Sequence, residues 1–127
     1  MGLFSLTGLA QWVILVTIKN DEITIEIIAL KTFIRATKKI LTRGDLEMLA
    51  KVLRENPKTG AVIKGSGGVR KMRFATTKGK SSGLRVVYFF QDSKGRLFLI
   101  TAYAKGDKEN LSQAEVNELK KLTDQLK

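Results

Sequence analysis

The chain has 127 residues, 43% hydrophobic and 28% charged, which suits one soluble globular domain with one core. Its 23 Lys and Arg against 12 Asp and Glu give a net charge of +11 and a pI near 10.1, favouring a polyanion or an acidic protein as partner over a small neutral substrate. It contains no Cys and no His, which excludes disulfides, zinc held by thiolate or imidazole, and Ser-His-Asp or Cys-His catalysis; a cytoplasmic address follows as the default. Acid–base chemistry would fall to Lys, Arg, Tyr, Asp or Glu, and no metal or other cofactor is expected.

Residues 1–18 carry no charge and include Leu3, Phe4, Trp12, Val13, Ile14, Leu15 and Val16. They show no basic start or small-residue cleavage site of a signal peptide, and Ser5, Thr7, Gly8 and Gln11 interrupt them too soon for a membrane span. We set residues 1–20 apart as an apolar N-terminal extension, either an added strand or helix or a segment read from an upstream start codon, and residues 21–127 as the domain. Ile23, Ile25 and Ile27 alternate with Thr24 and Glu26, as in a strand with one buried face. Phe33, Ile34, Ile40 and Leu41 then suit a short amphipathic segment with Arg35, Lys38 and Lys39 outward. Thr42 and Asp45 form a capping box, and Leu46, Leu49, Ala50 and Leu53 follow on one helix face that ends before Pro57.

Gly60, Gly65, Gly67 and Gly68 predict a loop over residues 60–68, without the Gly-Lys-Ser/Thr spacing of a nucleotide-binding P-loop. Strands are expected at residues 69–75, 84–90 and 96–103, the last two joined by a turn at Asp92-Ser93-Lys94-Gly95. The polar, basic connection over residues 76–83 reads as mobile. A final helix starts at the capping box of Ser112 and Glu115, with Val116, Leu119, Leu122 and Leu126 as its apolar stripe. The order β-α-α-β-β-β-α predicts an α+β fold: a small antiparallel sheet packed by two N-terminal helices and a C-terminal helix, with the helices on one side.

Between residues 56 and 91 there is no acid, yet this window holds Lys58, Lys64, Arg70, Lys71, Arg73, Lys78, Lys80 and Arg85. Such a surface attracts phosphates regardless of base sequence. Strand alternation puts Lys71 and Arg73 on one face, opposite Met72 and Phe74, and puts Arg85 opposite Leu84, Val86 and Tyr88. An arginine in so apolar a strand needs a phosphate or a structural ion pair to account for it, and Lys71 and Arg73 could equally line a solvated face. Arg70 lies on the other face, and Lys64, Lys78 and Lys80 are loop cations suited to gripping RNA.

From Asn56-Pro57-Lys58-Thr59-Gly60 through Gly65-Ser66-Gly67-Gly68-Val69-Arg70-Lys71 the chain resembles the RelE/HigB-type toxins of toxin–antitoxin modules. The likeness recurs at Gly79-Lys80-Ser81-Ser82-Gly83-Leu84-Arg85-Val86-Val87-Tyr88, at Leu99-Ile100-Thr101-Ala102-Tyr103-Ala104-Lys105 and at Glu109-Asn110-Leu111-Ser112, and it covers about residues 23–127. The resemblance implies a RelE-like fold and a metal-independent endoribonuclease that cleaves mRNA on the ribosome and leaves a 2′,3′-cyclic phosphate. Its partners would be mRNA, ribosomal RNA and a cognate antitoxin of helix-turn-helix type. Arg85 matches the family's phosphate-binding arginine, Lys71 and Arg73 its base and phosphate clamp, and Lys105 a further basic position; Lys64, Arg70, Lys78, Lys80, Tyr103 and Lys108 would contact RNA. A lysine crowded by cations loses its proton more easily, which suits a base. The chain departs from the pattern at Gly106, where a second arginine is expected, and at Leu111-Ser112, where a tyrosine is expected; the general acid is thus unassigned, and Tyr103 is the substitute stacking platform. Two alternatives stay open: a ParE-like poison of DNA gyrase, and a catalytically degenerate relative that only binds RNA or antitoxin.

Overall fold

The computed structural model describes residues 12–19, 24–76, 83–104, 106, 108 and 110–127. In chain order the elements are β1 (Trp12–Lys19), β2 (Thr24–Leu30), α1 (Lys31–Thr37), α2 (Arg43–Glu55), β3 (Ala61–Val62), β4 (Arg70–Phe74), β5 (Leu84–Gln91), β6 (Arg96–Ala104) and α3 (Gln113–Leu126). The strands form one sheet in the order β1-β2-β6-β5-β4-β3.

The α+β class and the three helices stand as expected, but the sheet departs from a wholly antiparallel one at its centre. β2 and β6 run parallel, from Glu26 opposite Arg96 to Ala29 opposite Leu99, and the Glu26 carboxylate meets the Arg96 guanidinium at 3.5 Å. The expectation that helices cover one side is corrected. Leu97, Leu99, Val86 and Tyr88 join Phe33, Leu49, Ala50 and Leu53 in a core under α1 and α2. Phe98, Ile100, Val87 and Phe89 join Leu119, Leu122 and Leu126 in a second core under α3. The physical reason lies in β5 and β6, which are apolar nearly without interruption and so demand cover on both faces. Phe89 and Phe98 stack with ring centroids 6.3 Å apart in that second core.

Both predicted capping boxes form. The Thr42 hydroxyl accepts from the Asp45 N–H at 3.1 Å, while the Asp45 carboxylate, fully buried, accepts from the Thr42 N–H at 2.9 Å. Ser112 and Glu115 exchange the same two bonds at 3.1 and 2.9 Å. α1 stops at Thr37, and Ile40 and Leu41 pack against the core from the turn beyond it. Of the N-terminal extension, residues 12–19 form β1, antiparallel to β2, so the added-strand alternative is the one found. Residues 1–11, 20–23 and 77–82 lie outside the described residues, and the last of these hold most of the connection expected to be mobile. Among the described residues no helix is long and apolar enough to cross a membrane.

The expected loop over residues 60–68 contains β3 and a tight turn seated on α3. β3 pairs Ala61 with Lys71 and Val62 with Arg70. Ser66 holds the turn: its hydroxyl donates to the Ile63 carbonyl at 2.6 Å and accepts from the Val69 N–H at 3.0 Å, and its carbonyl accepts from the Thr123 hydroxyl at 3.2 Å. Gly67 has φ +82°, and a Cβ there would lie 2.3 Å from Thr123 Oγ1. Gly67→Ala combines left-handed backbone strain with that clash. It is expected to lower stability by about 2 kcal/mol, read as a lower denaturant midpoint with an unchanged slope.

Candidate nucleic-acid interface

Strand register assembles the basic side chains. β4 and β5 place Arg73 directly opposite Arg85, and β5 and β6 place Arg85 opposite Tyr103. Directly opposed residues of an antiparallel pair have Cβ atoms roughly 5 Å apart, so the three form one cross-strand row. Lys71, opposite Val87, lies two residues along β4 on the same face. Val87 belongs to the core under α3, so the row shares the α3 face of the sheet. Arg73 is exposed, while Lys71 and Arg85 are half-buried. Like charges directly opposite destabilise a sheet, and an anion placed between them removes that cost.

Tyr103 ends the row and is 8% exposed. Its hydroxyl has no hydrogen-bond partner among the described residues. Burial raises its pKa, the Arg85 charge works against this and Glu115 adds to it, so near neutral pH the phenol keeps its proton and is a donor. Lys108 Nζ sits 5.6 Å from the Tyr103 ring centroid and bonds the Glu115 carboxylate at 2.5 Å. Burial works to raise the Glu115 carboxyl, but the bond from Lys108 and those from Ser112 hold it below the usual carboxylate range.

The remaining predicted residues divide. Arg70 is on the opposite face and is engaged within the fold: its guanidinium donates to the carbonyls of Gly60 at 2.7 Å and Lys58 at 3.2 Å. The Gly60 N–H donates to the buried Tyr88 hydroxyl at 2.8 Å, so these contacts lock the stretch leading into β3. Lys64 is exposed on the turn that packs along α3. Lys78, Lys80 and Lys105 lie outside the described residues. The structure thus brings together Lys71, Arg73, Arg85, Tyr103 and Lys108. Sequence reasoning missed Glu115 as the partner of Lys108, since it read that residue only as a helix cap. It also missed a cleft of about 350 Å³ between α1 and the end of β6, lined by Thr32, Arg35, Ala36 and Ile40 on one side and by residues 101–104, Lys108 and Leu111 on the other.

By its match to a family model this chain is a toxin of the toxin–antitoxin class. The chain belongs to the RelE toxin family: residues 25–127 match the family model described as the RelE toxin of the RelE/RelB toxin–antitoxin system. Among solved structures it is similar to the free state of an E. coli RelE toxin variant carrying two arginine-to-alanine substitutions. The identity is 28%, covering 59% of this chain and 80% of that one, with a TM-score of 0.41. The expectation of an antitoxin as partner follows from family membership.

The lowered Glu115 pKa has a pH consequence. A carboxyl whose folded-state pKa lies below its unfolded value of 4.5 contributes stability above that pH and loses it as pH falls through the folded value. Glu115→Gln keeps a side chain able to accept from the Ser112 N–H but removes the charge. Its thermal midpoint should therefore fall less steeply than that of the wild type as pH drops below 4.5; parallel curves would contradict the assignment.

Proposed function

We propose that this toxin is a ribosome-dependent endoribonuclease that cleaves mRNA, with the scissile phosphate held between Arg73 and Arg85. The observation that carries the reading is their direct cross-strand opposition, with Lys71 on the same face. Two guanidinium groups carried by directly opposed residues of neighbouring strands can meet the oxygens of one phosphate and stabilise the charge that builds up on it during substitution. The RNA 2′-hydroxyl attacks the adjacent phosphorus, the bond to the 5′-oxygen breaks as that oxygen takes up a proton from solvent to leave as a 5′-hydroxyl, and a 2′,3′-cyclic phosphate remains. Lys71 is the candidate base for the 2′-hydroxyl proton. Lys105 keeps the role in the reaction expected from the sequence, and Lys64, Lys78, Lys80 and Lys108 their role in gripping RNA. Arg70, tied to Gly60 and Lys58, serves the loop rather than the substrate. Residues 21–127 constitute the toxin domain and residues 1–20 an appended segment. The neutralising antitoxin, of helix-turn-helix type and acidic where it touches, covers the basic row.

Inducing the chain without antitoxin should arrest growth, with new 5′ ends on cellular messages by primer extension; unchanged growth with intact message would overturn the proposal. Arg85→Ala should lower cleavage on translating ribosomes by on the order of a hundredfold, the usual scale for removing one group that stabilises transition-state charge, while leaving the thermal midpoint within a few degrees of wild type. Arg85→Lys, which keeps charge but not the planar fork, should recover only part of the loss.

A further inference from the structure

Tyr103 belongs to two places at once. It ends the row that starts with Arg73 and Arg85, and it lines the cleft between α1 and the end of β6. The cleft exists because β2 stops pairing with β6 at Leu99 and α1 takes over beside the strand, pinned where the Thr32 hydroxyl donates to the Ile100 carbonyl. Its volume of about 350 Å³ falls within the range of small-ligand sites. Ala36, Ile40 and Leu111 give it apolar walls, Arg35 and Lys108 bring positive charge, and none of the described residues lining it is an acid. The buried Tyr103 hydroxyl, without a hydrogen-bond partner among the described residues, is the polar group of the cleft that a ligand would satisfy.

We propose that this cleft is a nucleotide subsite: the base lies between the apolar walls and bonds the Tyr103 hydroxyl, and its phosphate meets Arg35 and Lys108. The assignment rests on the mRNA-cleaving reading and extends it to the nucleotide next to the scissile phosphate. Continuity with the row favours a nucleotide over an acidic peptide. Tyr103 stands one strand, about 5 Å, from Arg85, and a polynucleotide held there by one phosphate brings its neighbouring base and phosphate within reach. Lys108 is held by Glu115 at 2.5 Å, so a phosphate in the cleft draws Lys108 from that carboxylate. Arg35 and Ala36 thereby acquire a role that the acid-free window, which begins 20 residues further along the chain, does not include.

The test titrates the intact chain with adenosine 3′,5′-bisphosphate, adenosine and inorganic phosphate, following backbone amide shifts of α1 and of residues 101–104. The bisphosphate should bind more tightly than either of the others and shift the amides of Thr32 and Ala36. Tyr103→Phe, which removes only the hydroxyl, should weaken it roughly fivefold. Ala36→Met, which fills the cleft, should weaken it roughly tenfold or more while leaving inorganic phosphate at the row unchanged; thermal melts check that each variant folds. Bisphosphate binding unchanged in both variants would overturn the subsite, as would amide shifts in the cleft from a Glu-rich peptide but none from the bisphosphate. If Arg85→Ala abolishes message cleavage while both cleft variants bind and cleave as wild type, the subsite fails and the mRNA reading stands. If ribosomes carry no cut message but the cleft variants lose the bisphosphate, the mRNA reading fails and the nucleotide site stands.

Discussion

β6 has a strand on each side for the first half of its length and buries side chains on both faces from Leu97 to Tyr103. Leu97 and Leu99 go to the core under α1 and α2, and Phe98 and Ile100 go to the core under α3. A strand so placed leaves no polar face, and the chain must supply helices above and below it. That requirement sets where everything else can go. β2 and β5 flank β6, α1 follows β2 directly and inherits its edge, and α3 returns to close the opposite face. The register shift between Val87 and Tyr88 pairs Tyr88 with Leu99 and Val87 with Thr101, so Ile100 is the extra residue. Bulges re-aim the side chains beyond them, and here Tyr103 comes out on the α3 face, in line with Arg73 and Arg85.

The row and the cleft both arise where this double cover runs out. α3 begins at Gln113, after the loop that carries Lys108 and Leu111, and its apolar stripe runs away from the row toward the stacked Phe89 and Phe98. β2 pairing ends at Leu99 on the other side. At this end of the sheet Arg73 on β4 and Arg85 on β5 stay at least partly exposed beside the buried Tyr103. The opposition of Arg73 and Arg85 sets two cationic residues side by side at this end of the sheet.

Local signals in the sequence were read well because the physics behind them is local. The two capping boxes need only residues three apart, and both formed. Alternation assigned Lys71, Arg73 and Arg85 to faces within their own strands, and the structure agrees. Alternation within a strand says nothing about register between strands. The meeting of Arg73, Arg85 and Tyr103, the parallel pairing of β2 with β6 and the cleft under α1 all depend on partners far apart in sequence. One signal was available and underused: the unbroken run Leu97-Phe98-Leu99-Ile100 is the mark of a strand covered on both faces, and it argues against helices on one side. The Gly-rich stretch was read as a loop, which names the connection but not its partner: Gly67 is there because α3 approaches too closely for a side chain.

That close approach ties two distant parts of the chain into one unit. The turn at Gly67 is held to α3 through Thr123 and Ser66, and the end of α3 is held to β5 through Gln91, whose amide donates to the Leu126 carbonyl at 2.9 Å. The same turn leads directly into β4, which carries Lys71 and Arg73. Lifting the C-terminal half of α3 would strand the Ser66 and Leu126 carbonyls and open the Phe89–Phe98 stack to water. In the language of amide exchange, α3, the Gly67 turn and β4 form one cooperative opening unit: solvent reaches their backbone together or not at all.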